Sequence, residues 1–202
     1  MRTTPRRDLD TPAPSHSIEI TENFYSESEI SHFLRPMSLS TQDLVEKLDL
    51  LPHPEGGYYR ETYRSDFSHL PPDSFGIKEK RSISTAIYFL LTQGNFSAFH
   101  RIKQDELWHH YMGDAVAVHT ISPEGEYHKL LLGKDLGEGE FPQHMVKGGT
   151  WFASETLGVY SLAGCTVAPG FDFADFELPK RESLLDLFPH LTEEITGLTR
   201  RG

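Results

Sequence analysis

The stretch GNFSAFHRIKQDELWHHYMG, residues 94–113, decides the fold and carries the first candidate site. Side chains between residues 96 and 102 alternate between two faces, and His100 shares one face with the apolar residues Ala98 and Ile102. A period of two is typical of a half-buried β-strand. The stretch therefore predicts a strand that turns one histidine toward an apolar interior.

A second strand, residues 106–112, follows a short polar turn and places Glu106, Trp108 and His110 on one face. If the two strands pair across the turn, His100 and Glu106 face the same interior. Burying either group costs several kcal/mol unless it is paired or bound to a metal, so we expect the two to form a functional pair. The alternatives are a surface ion pair at a hairpin tip and a structural pair that is sealed from solvent.

Many short strand-like runs follow one another, with Gly and Pro in the turns and almost no helix between them. This organisation predicts an all-β, mainly antiparallel sandwich or barrel. Residues 122–125 have the residue types that a tight turn requires, because Pro123 presets φ and Gly125 tolerates a positive φ. The predicted strands are residues 58–64, 81–91, 96–102, 106–112, 115–121, 126–132, 141–146, 150–154, 159–167 and 173–178.

Helices are predicted only at the periphery of this sheet structure. The first spans residues 41–51, where Ser40 is the N-cap and Asp43 completes a variant of the capping box. Two short helices are predicted near the C-terminus, at residues 183–188 and 192–198. We assign all three to packing, since none carries a recognisable chemical motif.

The strand predicted at residues 58–64 is unusual because both of its faces are polar. Tyr59, Glu61 and Tyr63 share one face, and arginines occur on the other. Charged side chains on a strand are typical of a protected sheet edge. They are equally expected where one face looks into a polar cavity, and the sequence leaves both interpretations open.

The length of 202 residues suits one domain with an appendage. Residues 1–37 are rich in Ser, Thr and Pro and are interpreted as an N-terminal extension, partly disordered or arm-like. Residues 38–202 are interpreted as a single domain that ends in the C-terminal helices. No window approaches the roughly 18 consecutive apolar residues of a membrane span, so no membrane partner is expected.

Charge and cysteine content restrict the possible partners and compartment. The net charge is −11, from 19 Lys and Arg against 30 Asp and Glu. A surface this acidic repels phosphate backbones, so we expect no nucleic-acid partner. Cys165 is the single cysteine, which excludes an internal disulfide and favours a buried, inert thiol. The absence of a secretory leader and of disulfides predicts a cytoplasmic protein.

The spacing of the opening stretch resembles the first motif of the cupin superfamily, G-x5-H-x-H-x3-E-x6-G, with Ile102 in place of the second histidine. Two further blocks, PEGGYYRETYRS at 54–65 and GCTVAPGFDFADFEL at 164–178, resemble the DUF985 or cupin-5 family of RmlC-like cupins. The resemblance implies a double-stranded β-helix, the cupin jelly roll, with a few peripheral helices. It also implies a homodimer.

The resemblance raises the question of a metal, because cupins bind one through four positions of their two motifs. This chain keeps His100 and Glu106, but Ile102 and Phe152 stand at the other two positions. A mononuclear site needs three or four convergent ligands, so no cofactor is expected. If a divalent metal does bind, His110 would be the third ligand beside His100 and Glu106.

The leading functional prediction is an isomerase or epimerase that acts on a sugar or a related polyol or carbonyl compound. His100 would be the general base, Glu106 would orient it, and Tyr88 or His110 would be the acid. Arg60 would anchor an anionic group. A non-catalytic cupin that binds a sugar-like or nucleobase-like ligand and a metal-dependent cupin oxygenase are the alternatives. The remaining predicted lining residues are Trp108, Trp151, Phe152 and Tyr160.

Overall fold

The computed structural model describes residues 39–200. The predicted N-terminal extension, residues 1–37, lies outside the described residues. No helix within residues 39–200 is long and apolar enough to cross a membrane.

The helices and strands are α1 (Thr41–Lys47), β1 (Leu51–Pro52), β2 (Tyr58–Arg64), β3 (Ser68–His69), β4 (Arg81–Ser82), β5 (Thr85–Thr92), β6 (Phe96–His100), β7 (Asp105–Gly113), β8 (Val116–Ile121), β9 (Tyr127–Leu132), β10 (Gln143–Val146), β11 (Trp151–Thr156), β12 (Tyr160–Ala168), α2 (Arg181–Leu187) and α3 (Thr192–Gly197).

Two antiparallel sheets face each other across the core. The larger sheet has the order β1-β2-β5-β12-β7-β10, and the smaller has the order β6-β11-β8-β9. A buried apolar cluster joins their inner faces, with Phe89 and Trp108 from the larger sheet and Val118 and Phe152 from the smaller. The predicted all-β, mainly antiparallel jelly roll is confirmed.

The opening stretch folds differently from the predicted hairpin. β6 pairs with β11 in the smaller sheet, whereas β7 pairs with β12 and β10 in the larger sheet. The turn between them crosses from one sheet to the other, so the expected pairing of the two runs is wrong. The predicted alternation still holds, because His100 and Ile102 face the core between the sheets while Phe99 faces away from it.

The three predicted helices are present at the periphery. Ser40 caps α1 and forms the full capping box with Asp43, as the sequence predicts. α1 ends at Lys47 rather than at residue 51 because Asp49 adopts a positive φ of 53° and the following residues pair with β2. α2 and α3 cover the outer face of the smaller sheet, where Leu184 and Ile195 belong to the same apolar cluster as Phe99.

The strand predicted at residues 173–178 is wrong, since Phe173–Asp175 forms a turn of 3-10 helix. A buried ion pair holds this turn. The Asp175 carboxylate accepts hydrogen bonds from Arg81 Nε at 2.8 Å and from Gln104 Nε2 at 2.8 Å. These contacts fix the segment around Phe173 beside the open end of the barrel.

Candidate active site

A cavity of ≈ 440 Å³ opens between the two sheets. Its inner end is formed by buried polar side chains, and its mouth by more exposed charged and aromatic ones. Apolar side chains from β5, β12 and the turn after β6 line the walls between the two ends. The residues that line the cavity include His53, Glu55, Tyr59, Glu61, Arg64, His100, Ile102, Glu106, Cys165, Phe171, Asp172, Phe173 and Phe176.

The sequence His-Pro-Glu-Gly-Gly, residues 53–57, brings Glu55 into the inner end. Gly56 and Gly57 adopt positive φ values of 115° and 73°, and a Cβ on either would approach a backbone oxygen of a neighbouring strand within 3.0 Å. Only glycine tolerates this combination of conformation and close approach. The tight turn lets the Ala98 N–H donate to the Glu55 carbonyl at 2.8 Å, and the Glu55 side chain then points into the barrel.

Glu55 and His100 form a hydrogen-bonded pair at the inner end of the cavity. Oε2 of Glu55 lies 3.1 Å from Nε2 of His100, and Ser97 Oγ donates to Oε1 of Glu55 at 2.9 Å. Nδ1 of His100 lies 2.8 Å from the Ala98 carbonyl oxygen. A carbonyl only accepts, so Nδ1 carries the imidazole hydrogen and the Nε2 of a neutral ring accepts a proton from the Glu55 carboxyl.

The direction of the pKa shifts agrees with this assignment. Burial lowers the pKa of His100 to about 3, which keeps the imidazole neutral. Burial, with the neighbouring Glu106, raises the pKa of Glu55 well above its ordinary value, which keeps the carboxyl protonated. The pair is therefore a carboxylic acid that donates to a neutral imidazole, and not a salt bridge.

His53 approaches the same oxygen of the Glu55 carboxyl. Its Nδ1 is 3.4 Å from Oε2 of Glu55 and accepts the Glu55 backbone N–H at 3.4 Å. Burial lowers the pKa of His53 to about 4, so this imidazole is also neutral at physiological pH. Oε2 of Glu55 therefore has two neutral imidazoles within 3.4 Å, and it donates its proton to the nearer one, His100.

Glu106 is the group in the cavity that titrates near neutrality. Its side chain projects inward from β7, and only 8% of the residue is exposed. Burial raises the pKa of Glu106 to about 7, opposed only by a hydrogen bond from the Cys165 thiol. Burial also raises the pKa of Cys165 well above its ordinary value, so the thiol stays protonated as the sequence suggests.

Replacing Glu106 by Gln should make the stability of the fold less dependent on pH. The folded state holds the Glu106 proton more tightly than the unfolded chain, so stability is lost as pH rises from 4.5 toward about 7. We expect the variant to gain on the order of 1–3 kcal/mol relative to the parent at pH 8, and nothing below pH 4. Urea unfolding at both pH values measures this, with the exposed Glu193→Gln as control. An equal difference at both pH values would contradict the raised pKa.

The mouth of the cavity carries a tethered arginine and a group of aromatic rings. Arg64 donates to Glu61 from Nε at 2.9 Å and from Nη2 at 2.6 Å. A β-bulge between Glu61 and Tyr63 turns Arg64 to the inner face of β2 while Tyr63 lies on the outer one. The polar inner face of β2 therefore looks into a cavity, which was one of the two interpretations of its sequence.

The structure brings two of the predicted catalytic residues together and separates the others. His100 and Glu106 both line the cavity. The hydrogen-bonding partner of His100 is Glu55, however, so the predicted role of Glu106 in orienting this histidine does not match the geometry. His110 does not line the cavity, and its Nε2 contacts the Asp114 carbonyl oxygen at 3.1 Å.

Tyr88, Arg60 and Tyr160 lie outside the cavity, contrary to their predicted roles. Arg60 and Tyr88 are cross-strand partners on the outer face of the larger sheet. Side chains alternate between the two faces along a strand, and Tyr59, the neighbour of Arg60, points inward. Arg60 donates to the Leu48 carbonyl at 3.0 Å, which ties β2 to the end of α1. Tyr160 packs with Tyr88 in the apolar cluster beneath α1.

The predicted aromatic lining residues belong to the core. Trp108 is 1% exposed and packs edge-on against Phe89 and Phe152. Phe152 supports the imidazole of His100 from behind, with ring centroids 4.0 Å apart. Trp151 faces the other way, beneath the guanidinium of Arg101 at 4.3 Å. None of the three lines the cavity.

The residues present do not fit the metal that the cupin motifs imply. Ile102 and Phe152 are buried apolar side chains at two of the four ligand positions. The Nε2 of His100 is already engaged by Glu55, and His110 lies elsewhere. Within residues 39–200, no group of three or more His, Cys, Asp or Glu side chains has an arrangement that would hold a metal ion.

Sequence reasoning missed His53, Glu55 and the aromatic rings at the mouth. The signal for Glu55 was the pair of glycines directly after it, since two glycines in a turn beside a carboxyl indicate a close approach of backbone. Phe173 and Phe176 fall within the strand predicted at residues 173–178, which the structure replaces with a turn of 3-10 helix.

Three comparisons place this architecture among known proteins. The family model described as "Cupin superfamily (DUF985)" matches residues 42–179. An uncharacterized protein of Saccharomyces cerevisiae is 32% identical over 158 residues, which cover 72% of this chain and 78% of that protein. The solved structure of a protein from Shewanella oneidensis is 40% identical, with a TM-score of 0.74, over 81% of this chain and 99% of that one. A hypothetical protein from Leishmania major is 32% identical, with the same TM-score of 0.74, over 80% and 99% of the two chains.

Proposed function

The chain belongs to the DUF985 family of the cupin superfamily, and we propose that it is an isomerase or epimerase of a sugar or a related polyol or carbonyl compound. The observation that carries the proposal is the pair of carboxyl groups with different surroundings at the inner end of one cavity. Glu55 is held protonated against neutral imidazoles, while Glu106 titrates near neutrality. Two titratable groups set to different protonation states are typical of an acid and a base acting on one substrate.

In the proposed reaction, the Glu106 carboxylate removes a proton from the carbon next to the substrate carbonyl. The electron pair of the broken C–H bond moves to form an enol, and the carbonyl oxygen takes the proton of Glu55. In an isomerisation, Glu106 returns its proton to the former carbonyl carbon, and the hydroxyl on the neighbouring carbon gives its proton to Glu55 as it becomes the new carbonyl. In an epimerisation, the enol turns over in the cavity, Glu106 returns its proton to the opposite face of the same carbon, and the enol oxygen gives its proton back to Glu55. Both routes leave Glu106 ionised and Glu55 protonated, as at the start. His100 holds the Glu55 carboxyl in place and takes part in its proton exchange.

The walls and mouth of the cavity support a ring-shaped substrate. Tyr59, Phe171, Phe173 and Phe176 present aromatic surface there, on which the apolar face of a sugar ring can stack. A cavity of ≈ 440 Å³ is within the size range of small-molecule sites. A binding protein without chemistry would use the same surface, and it differs from the proposed enzyme only in lacking proton transfer.

Solvent exchange tests for that proton transfer directly. The protein is incubated in D₂O with a panel of aldoses, ketoses and keto sugars, and NMR follows replacement of C–H by C–D beside each carbonyl. We expect exchange in at least one member of the panel. Exchange in none would contradict the enzyme proposal and would leave the binding protein as the better account.

We propose further that the protein is a homodimer joined through the outer face of the larger sheet. An uncharged row of cross-strand partners, Tyr63, Ala86, Thr166, Leu107 and Met145, runs across five strands of that face. Tyr63 and Met145 are 53% and 52% exposed. In a chain with a net charge of −11, an uncharged row of this length is the surface that a second copy would cover with least repulsion.

Replacing Met145 by Glu should convert the dimer to monomer. The two new carboxylates would lie in the apolar interface, where burial of unpaired charge is costly. Light scattering after gel filtration measures the mass of each form. Leu187→Glu, on an exposed position of α2 that is 61% exposed, is the matched control and should remain dimeric. A parent protein that is monomeric, or a Met145→Glu variant that stays dimeric, would contradict the interface.

A further inference from the structure

The lining of the cavity contains far more acidic than basic groups. Four carboxyl groups line it, two at the inner end and two, Glu61 and Asp172, at the mouth. Among the described residues that line the cavity, Arg64 is the only lysine or arginine. The two histidines add no positive charge, since burial keeps both imidazoles neutral.

Arg64 is already paired within the protein. Its Nε and Nη2 donate to the Glu61 carboxylate, and its Nη1 donates to the Phe171 carbonyl oxygen at 3.2 Å. Three of its N–H groups have these partners, and Glu61 balances its charge. A phosphate or carboxylate on a ligand would therefore meet no unpaired lysine or arginine in the described lining, and it would face the carboxylates of Asp172 and Glu106.

The mouth is instead built like a site for a positive charge. The rings of Phe171 and Phe173 lie 5.0 Å apart, and Phe176 lies 6.0 Å from Phe173 and 6.2 Å from Phe171. The His53 ring stacks beyond Phe173 at 6.1 Å. The faces of aromatic rings attract cations, and clusters of such rings beside carboxylates recognise ammonium groups.

A second observation indicates that a ligand reaches the inner end as well. Glu106 is more than nine-tenths buried and faces the cavity, and among residues 39–200 its hydrogen-bonding partner is only the weak thiol donor of Cys165. A buried carboxyl ordinarily has better partners than this. A substrate whose polar end meets Glu106 would supply them, and its other end would then lie among the rings at the mouth.

We propose that the substrate carries a protonated amine, and that it belongs to the amino-substituted sugars or similar amino carbonyl compounds. The reacting carbon lies at Glu106, and the ammonium group lies at the mouth between the phenylalanine rings and the carboxylate of Asp172. The carbonyl part rests on the proposed function. The preference for an ammonium group is a property of binding, so it is measurable without turnover.

The test compares three ligands that share one ring and differ in the charge on C6, the carbon remote from the reacting one: 6-amino-6-deoxy-D-glucose, D-glucose and D-glucuronate. Isothermal titration calorimetry at neutral pH measures each dissociation constant. We expect the 6-amino sugar to bind at least about tenfold more tightly than glucose, since a charge-assisted contact is worth that much, and glucuronate to bind more weakly than glucose. Equal affinity for the three, tighter binding of glucuronate, or no measurable binding of the 6-amino sugar would overturn the inference.

Two substitutions at the mouth locate the ammonium group. Asp172→Asn removes the charge and keeps an oxygen that can accept the Ala174 N–H, which Asp172 accepts at 2.9 Å. Phe173→Ala removes one ring at a position that is 52% exposed, where folding does not depend on it. Both should reduce the preference for 6-amino-6-deoxy-D-glucose over glucose to below about threefold, whereas Glu193→Gln should not. An unchanged preference in both variants would overturn the placement.

Glu106→Gln separates this inference from the proposed function. It should keep the preference for the 6-amino sugar, because the ammonium group lies at the other end of the cavity, while slowing solvent exchange by about 10²–10⁴-fold. Exchange without an ammonium preference would contradict this inference alone. An ammonium preference without exchange in any amino or neutral sugar would contradict the proposed function alone.

Discussion

Replacing Glu106 by Gln is expected to slow solvent exchange of the substrate C–H hydrogen by about 10²–10⁴-fold, the usual contribution of one general base. The amide has nearly the shape of the carboxyl and still reaches the cavity, but it has no charge with which to remove a proton. Because burial raises the pKa of Glu106 to about 7, the parent rate should rise with pH through that value. The residual rate of the variant should show no such step.

The matched control is Glu61→Gln at the mouth of the same cavity. Glu61 contacts Arg64 and lies at the end of the cavity away from Glu106, so its loss should change the rate by less than about tenfold, as for an exposed ion pair. Proton NMR of the exchanging carbon measures both variants against the parent. An exchange rate in Glu106→Gln within threefold of the parent would remove this residue from the reaction.

The second large effect is on stability and concerns Asp175. Its carboxylate is 1% exposed and contacts Arg81, whose side chain is 6% exposed, at 2.8 Å. Asp175→Asn keeps the shape but leaves the buried guanidinium with only the exposed Glu79 carboxylate as a close ion-pair partner, at 3.6 Å. Breaking a buried pair in this way costs about 3–5 kcal/mol, so we expect a loss of that size in the free energy of unfolding.

Glu177→Gln is the control, since it makes the same acid-to-amide change two residues away. Its pair with Arg101 is short, 2.7 Å, but the two side chains are 53% and 41% exposed. Exposed pairs contribute about 0–1 kcal/mol, so the control should unfold almost like the parent. Urea titration measures all three proteins, and similar losses in both variants would show that the Asp175 pair is not a buried one.

The pH dependence of Asp175 follows from the same contacts. Burial alone would raise its pKa, but hydrogen bonds from Arg81 and Gln104 outweigh this and hold the pKa below its ordinary value. The stabilisation is therefore present above the pKa of the unfolded chain and is lost as pH falls through the folded value.

The local features of the fold could be predicted from the sequence because they depend on neighbours along the chain. The strand at Tyr58–Arg64, the capping box of Ser40 and the hairpin around Gly125 all follow from periodicity or turn chemistry. The pairing of strands could not be predicted in the same way. A turn that crosses between sheets, such as residues 101–104, has the same local signature as a hairpin turn.

Residues of the candidate site could be predicted from the sequence only where the alternation of side chains along a strand determines which face each side chain points to. His100 and Glu106 each lie on an apolar face of a strand, so their inward orientation was visible in the sequence. The partner of His100 was not, because Glu55 reaches the cavity through a turn whose position depends on the Ala98 N–H, 43 residues further along the chain. The bulge that turns Arg64 inward likewise interrupts the alternation on which the prediction depends.

The proposed reaction requires Glu106 to be a buried carboxyl that titrates near neutrality inside the cavity. The most direct measurement is a pH titration of its side-chain carboxyl carbon by ¹³C NMR, with the signal assigned by its absence in Glu106→Gln. We expect a midpoint near pH 7, where the pKa of about 7 places it. A midpoint near 4.5, the ordinary value for a glutamate in water, would contradict the claim and with it the proposed role of this residue as the base.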